Sequence, residues 1–221
     1  MPAQPLPVNG PEGENQPGGS KQFLAALGLF FLEVIKIVVL AGITIALVRT
    51  FLFKPFYVKG KSMEPTFHEN EYLIIDKLTY RLRSLHDKPE VVRGEVVVIV
   101  SPVNPSEHYL KRVIGLPGER VTVREGQIII YNTEYPQGVV LSEPYLTEPT
   151  PSAEKNVLLG ETEYFVMGDN RDESYDSRGF GPINRESIVG RAWFRGWPLN
   201  RTGIFTTPTY NAETAAESST Q

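Results

Sequence analysis

"FLFKPFYVKGKSMEPTF", Phe51 to Phe67, is the stretch in which the chain changes period. Before it the sequence is apolar over helical lengths. Within it Phe56, Val58, Gly60 and Ser62 alternate with Tyr57, Lys59 and Lys61, the two-residue period of a strand with one face turned inward. The expectation is a strand over 56–62 that carries Ser62 on the same face as Phe56 and Val58. The same signature recurs downstream at 71–76, 94–100, 109–115, 120–123, 127–131, 163–168 and 187–194, with Gly, Pro and Asn clusters between the runs. One helical patch is expected at 76–85. The fold class that follows is mostly β: an antiparallel β-sandwich or distorted barrel behind one N-terminal apolar helix.

Upstream, "FLAALGLFFLEVIKIVVLAGITIALVRTFLF" (23–53) is broken only by Glu33, Lys36 and Arg49, and its longest uncharged run, Ile37 to Val48, is 12 residues. A membrane span needs about 20. Residues 34–53 reach that length if Lys36 and Arg49 snorkel to the two interfaces. A cleaved signal peptide and a buried soluble helix are the competing readings, although no A-x-A site follows Phe23–Leu32. The lysines and arginines after the span outnumber those before it, so charge alone leaves the orientation undecided. The organisation expected is a disordered tail over 1–22, a membrane segment over 23–53, a β domain over 54–205 with a small excursion at about 125–162, and a disordered tail over 206–221.

With 221 residues and 41% hydrophobic content, the chain can bury one sizeable core or two small ones. Its net charge of −4 gives no basic field for nucleic acid. It has no cysteine, which removes thiolate chemistry and Cys-based metal sites, and its three histidines, His68, His86 and His108, lie far apart. No metal and no cofactor are expected.

Three stretches can carry chemistry. Ser62 follows Gly60 and Lys61 and precedes a Met-Glu-Pro-Thr turn; it is either a nucleophile or an ordinary loop serine. A serine needs a base, and with histidine scarce the alternative is a lysine made neutral by burial. "YLKRVIGLPGE" (109–119) offers Lys111 between Tyr109 and Val113 on one face of an apolar strand, with Leu110, Arg112 and Ile114 on the other. An edge-strand lysine that blunts pairing is the plain alternative. "GDNRDESYDSRGFGP" (168–182) packs both signs of charge with hydroxyls; its sixth positions, Ser174 or Ser177, exclude an EF-hand loop, leaving a solvated loop or a scaffold that holds other residues in place.

In this order, "GKSMEPT", "RGEVVVIV" (93–100), "YLKRVIGLPGE" and "GDNRDESYDSRGFGP" resemble the four conserved boxes of type I signal peptidases, membrane-bound serine proteases with a Ser/Lys dyad. The resemblance covers about residues 33–197. It implies Ser62 as nucleophile, Lys111 as general base and the Ser62 backbone N–H as oxyanion donor. It implies that Ser174 orients the lysine, that Asp176 and Arg178 brace that loop, and that Asp169 and Arg171 support it. Phe56, Val58, Met63, Tyr109 and Leu110 would line apolar pockets for small substrate residues. Some members carry a serine where this chain has Gly60, so a second oxyanion donor is left open. The substrates implied are preproteins with signal peptides, exported through a translocon. The location implied is a cell (inner or plasma) or thylakoid membrane, crossed once, with the N-terminus cytoplasmic or stromal and the catalytic domain on the other side. Phe51, Phe53 and Phe56 would then meet lipid.

Rival readings are a self-cleaving regulator with the same chemistry, which lacks its DNA-binding domain here, a non-catalytic β domain, and a Ser-His-Asp hydrolase using His108. Alternation sets His108 on the strand face opposite Lys111, which argues against the last.

Overall fold

The computed structural model describes residues 19–49, 53–84, 91–147, 150–151, 154–208, 210 and 212–214. The chain forms two units, one ending at Leu47 and one beginning at Val48. The first is α1 (Gly19–Leu47), within which Gln22–Leu47 is apolar and long enough to cross a membrane. At 1.5 Å per residue those 26 residues reach about 39 Å.

The helix therefore begins and ends earlier than the 34–53 expected, and it takes in the last residues of the 1–22 tail. Glu33 does not interrupt it, because its carboxylate sits one turn from Lys36 and pairs with it at 3.6 Å. At the other end Pro55 has no N–H to continue a helix and biases Lys54 to extended backbone, so Phe53 already belongs to a strand. The first 18 residues, and with them most of the expected N-terminal tail, lie outside the described residues.

The second unit is mostly antiparallel β-sheet. Its first sheet runs in the order β1 (Phe53–Tyr57), β2 (Tyr72–Asp76), β11 (Ile188–Trp197), β3 (Val96–Val100), β4 (His108–Gly115), β9 (Glu163–Met167), β10 (Ile183–Asn184), with β12 (Gly203–Ile204) added to β11. α2 (Leu78–Ser84) follows β2, where the helical patch was expected. Central strand β3, "VVVIV", has two buried faces, and its alternation divides it cleanly. Val96 and Val98 join Met63, Phe67, Leu73 and Leu110 on one side, while Val97 and Ile99 join Val113, Tyr164 and Val166 on the other.

The second sheet has the order β13 (Ala212–Thr214), β7 (Val139–Leu141), β6 (Gln127–Tyr131), β5 (Arg120–Arg124), β8 (Lys155–Leu158). Its inner residues Val121, Val123, Ile128 and Ile130 pack on Ile114, Phe165 and Met167 of the first sheet, so the two sheets share a core. Gly115 sits at the corner between them, where a Cβ would collide with Val121 and Leu159.

The 125–162 excursion is thus most of a second sheet. β7 and β8 escape the pattern because "VVL" is too short to show a period and "KNVL" is half polar. The expected tail from residue 206 is corrected for its described part, while residues 209, 211 and 215–221 lie outside the described residues. β13 pairs with β7 in three rows, and Tyr210 packs on the shared core.

Candidate active site

The Ser62 turn is built where β1 ends. β1 stops at Tyr57, Val58 N–H donates to Glu71 O at 2.9 Å, and Asn70 N–H donates to Val58 O at 3.0 Å, which closes the base of the loop. Gly60 has φ +82°, a backbone that glycine adopts freely, and its N–H donates to Glu69 Oε1 at 3.2 Å. A helical turn follows, with Glu64 N–H to Lys61 O at 3.0 Å and Phe67 N–H to Met63 O at 2.8 Å. Met63 and Phe67 are fully buried and pin that turn to the core. Ser62 therefore lies in a turn and not at the end of a 56–62 strand. The left-handed bend at Gly60 breaks the alternation before it reaches Ser62.

From farther along the same sheet β4 delivers Lys111, which is 3% exposed. Its Nζ donates to Ser62 Oγ at 2.9 Å and lies 5.6 Å from the centre of the Tyr109 ring. Burial pushes the Lys111 ammonium down to about 8; Asp176 and Asp169 oppose the fall, and Arg178 adds to it. A buried lysine in contact with a serine hydroxyl can accept its proton.

Phe56, Val58, Ser62, Met63, Tyr109, Leu110 and Lys111 line one cleft of about 460 Å³, with Tyr57, Lys59, Gly60, Glu107 and His108 around them. Phe56 belongs to this lining and packs on the core instead of standing on the surface; Phe51 lies outside the described residues. His108 shares the cleft with Lys111, so the opposite-face argument does not separate them; what does is that Lys111 holds the hydrogen bond to Ser62. Burial, with Lys54 nearby, lowers the His108 pKa. β1 pairs only with β2, and β9 joins β4 only from Arg112 onward. The cleft thus borders two strand edges with unpaired backbone groups.

The 168–182 segment wraps the other side of the pair. Ser62 O accepts the Asn170 N–H at 3.1 Å. Gly168 has no room for a Cβ, which would meet the Ser174 hydroxyl and the Ser62 carbonyl. Asp176 accepts from Arg178 Nε and Nη2 at 2.9 Å each and from Gly168 N–H at 3.0 Å. Burial pushes the Asp176 carboxyl upward, but the hydrogen bonds and charge of Arg178 prevail and hold it below its ordinary value. Ser174 Oγ makes no hydrogen bond of ordinary geometry, to Lys111 or to any other described group, though its hydroxyl lies near enough to Asp176 to favour the charged carboxylate.

Asp169 pairs with Arg112 in a buried two-point bridge, Nε to Oδ1 at 2.8 Å and Nη2 to Oδ2 at 2.6 Å, and it also accepts from Thr66 Oγ1 at 2.6 Å. Arg171 does not take part in that bridge. It donates to Gly168 O at 3.0 Å, to Thr150 and to Glu143. Arg112, Thr66, Glu143 and Tyr145 are the site residues that sequence reasoning missed. Arg112 had a visible signal, since a second cation beside Lys111 on an apolar strand needs a buried partner.

Comparison with known proteins identifies the family. The family model described as "Signal peptidase, peptidase S26" matches residues 31–197. A probable signal peptidase I-2 of Synechocystis is 39% identical over 181 residues, covering 80% of this chain and 78% of that protein. A signal peptidase I of Bacillus licheniformis is 37% identical, covering 76% and 89%. A crystal structure of a signal peptidase I from Enterococcus faecalis is 33% identical, covers 46% of this chain and 95% of the solved one, and superposes with a TM-score of 0.39. The chain belongs to the signal peptidase family, peptidase S26, and is a serine peptidase of signal peptidase I type.

Proposed function

We propose that this peptidase is anchored by α1 and removes signal peptides from exported preproteins, cutting after a small residue through a Ser62/Lys111 dyad and an acyl-enzyme. The observation that carries the reading is the 2.9 Å contact between Lys111 Nζ and Ser62 Oγ at the floor of the cleft. Neutral Lys111 takes the Ser62 proton as Oγ attacks the scissile carbonyl. The developing oxyanion is met by the Ser62 N–H, which has no hydrogen-bond partner among the described residues. Lys111 then protonates the leaving amine, which frees the mature protein. In the second half Lys111 deprotonates a water, which hydrolyses the ester on Ser62 and restores the free enzyme.

A substrate strand laid between the open edges of β1 and β4 would satisfy its backbone against both, as in β-strand addition. Alternate side chains would then enter the apolar lining of Phe56, Val58, Met63, Tyr109 and Leu110, where only small ones fit. Asp176, Arg178, Asp169 and Arg171 hold the Ser62 turn in place through Gly168 and Thr66. The N-terminus is cytoplasmic or stromal, and the catalytic unit works on the far side of a cell or thylakoid membrane, beside a translocon. Tyr57, Tyr72 and Trp197 lie in register across β1, β2 and β11 and are exposed, which suits contact with lipid.

The test is cleavage of a preprotein with an Ala-x-Ala site by detergent-solubilised enzyme. Wild type cuts after the final alanine, while folded Ser62→Ala and Lys111→Ala do not. Normal cutting by Lys111→Ala would end the dyad assignment.

A further inference from the structure

Outside the four motifs, one short segment reaches the catalytic scaffold at two points. Glu143 and Tyr145 lie on the connection that leaves β7 of the second sheet. Arg171 is buried, and its side chain spends every nitrogen: Nε on Gly168 O at 3.0 Å, one terminal nitrogen on Thr150 Oγ1, and the other on Glu143 Oε1. Glu143 is the one carboxylate in that set, so it is the counter-charge of a buried cation. Gly168, held through its carbonyl by Arg171 and through its N–H by Asp176, lies against the backbone of Ser62.

The second point is Tyr145. Its ring stacks 3.9 Å from the Arg112 guanidinium, and its hydroxyl donates to the same Glu143 Oε1 at 2.6 Å. Tyr210, from the C-terminal segment, donates to the Tyr145 hydroxyl at 3.4 Å and backs the ring. Arg112 follows Lys111 in the chain and holds Asp169, which in turn holds Thr66 of the nucleophile turn. Glu143 and Tyr145 together thus fix both arginines, one on the nucleophile side and one on the lysine side.

We infer that Glu143 and Tyr145 are positioning residues for the Ser62/Lys111 pair, acting through Arg171 and Arg112. The inference rests on the dyad reading above. Without Glu143 the buried Arg171 charge is left to compete for Asp169, the nearest remaining anion of the network, against Arg112 and Thr66. That competition moves the Ser62 turn. The groups facing Lys111 are Asp169, Asp176, Arg178 and the Tyr109 ring. Withdrawal of Asp169 towards Arg171 disfavours the ammonium, so the lysine titrates lower.

The experiment measures kcat and KM against pH for the full chain in detergent, with Glu143→Gln, Glu143→Asp, Tyr145→Phe and Tyr145→Leu, each assayed well below its own Tm. Labelling of Lys111 by an amine reagent across pH reports its titration independently of cleavage. Glu143→Gln is expected to lower kcat at least about tenfold with KM nearly unchanged, and to move the acidic limb and the labelling midpoint to lower pH. Glu143→Asp recovers part of the loss. Tyr145→Phe, which keeps the ring over Arg112, loses less than Tyr145→Leu. A lower Tm with unchanged kcat and unchanged Lys111 labelling overturns the inference and makes the segment an ordinary structural buttress. A change in KM alone also overturns it. If wild type cuts no preprotein, the peptidase assignment fails on its own, and an unmoved labelling midpoint in Glu143→Gln then sinks the positioning role as well.

Discussion

Replacing Lys111 by methionine removes the one amine in contact with Ser62 while keeping most of its volume. The magnitude of the consequence follows from the burial of Lys111 and its pKa of about 8, against an ordinary 10.5. That drop of about 2.5 units corresponds to roughly 3 kcal/mol between the protonated and neutral folded states. The sign is set by which state holds more protons. Between pH ~8 and ~10.5 the unfolded chain keeps its lysine proton and the folded one does not, so stability rises with pH across that window. It is lost again as pH falls through 8, where the buried group must carry charge. Lys111→Met has no such group. At pH 7 the variant should therefore be more stable than wild type, and the difference should shrink by about 3 kcal/mol as pH rises to 10.5, equivalent to roughly 6–12 °C in Tm.

Thermal melts of both proteins at matched pH from 7 to 11 make the comparison, because other lysines and tyrosines titrate equally in each and cancel. The kinetic counterpart is an acidic limb in kcat/KM near pH 8. About a tenth of Lys111 is neutral at pH 7 on that basis, several hundredfold more than for an ordinary lysine. A bound substrate that excludes water from the cleft lowers the lysine further, so the limb in kcat should lie below the limb in kcat/KM. Melting curves that run parallel across the whole range, or an acidic limb near 10, would refute the reasoning.

Gly168→Ala places a methyl where the Ser174 hydroxyl and the Ser62 carbonyl already meet, and is expected to cost on the order of 10²-fold in kcat/KM, read in the preprotein assay. Asp169→Asn leaves the buried Arg112 without its counter-charge and should destabilise the fold by about 3–5 kcal/mol, measured by denaturant titration. Gly60→Ala meets open space but must hold φ +82°, so its cost is confined to about 1–2 kcal/mol of backbone strain, visible as a small fall in Tm. Arg178→Ala strips Asp176 of its partner beside Lys111 and should raise the lysine pKa; the acidic limb then moves to higher pH, opposite to Glu143→Gln.

How far the sequence could be read depended on the distance over which each signal acts. The central strands announced themselves because both faces of "VVVIV" and most of "YLKRVIG" are apolar, and the burial of Lys111 follows from that local pattern. Ser62 came with a motif, but its backbone did not, since a single left-handed glycine at 60 changes the direction that alternation would extrapolate. The end of α1 lies earlier than expected because the expected bounds followed the length a span needs, whereas Phe53 already pairs in β1. What stayed hidden is what depends on pairing between distant segments. β13 is a strand only because β7 presents an edge to it, and the partners of Asp169 and Arg171, namely Arg112 and Glu143, come from outside 168–182.

Those pairings explain how a loop so rich in charge can surround a lysine whose pKa burial lowers to about 8. Two carboxylates, Asp169 and Asp176, act on Lys111, and each favours the ammonium. Left unpaired in a buried site, either would undo much of what desolvation achieves, and the lysine would be a poor base near neutral pH. Each is instead committed to an arginine through two hydrogen bonds, Asp169 to Arg112 and Asp176 to Arg178. Arg178 itself adds to the lowering of the lysine. The carboxylates remain available to hold the Gly168 N–H and the Thr66 hydroxyl, which anchor the loop and the nucleophile turn. Arg178 thus offsets part of the field of the acids at Lys111, and both pairings leave the acids' other hydrogen bonds in place. Lysine could not serve here as well, because a single ammonium cannot match both carboxylate oxygens in the plane and would itself titrate when buried. On this account the pairing of each acid near Lys111 with an arginine keeps those acids from fixing the lysine in its charged form, and the scaffold extends as far as the second sheet, where Glu143 performs for Arg171 the service that Asp169 performs for Arg112.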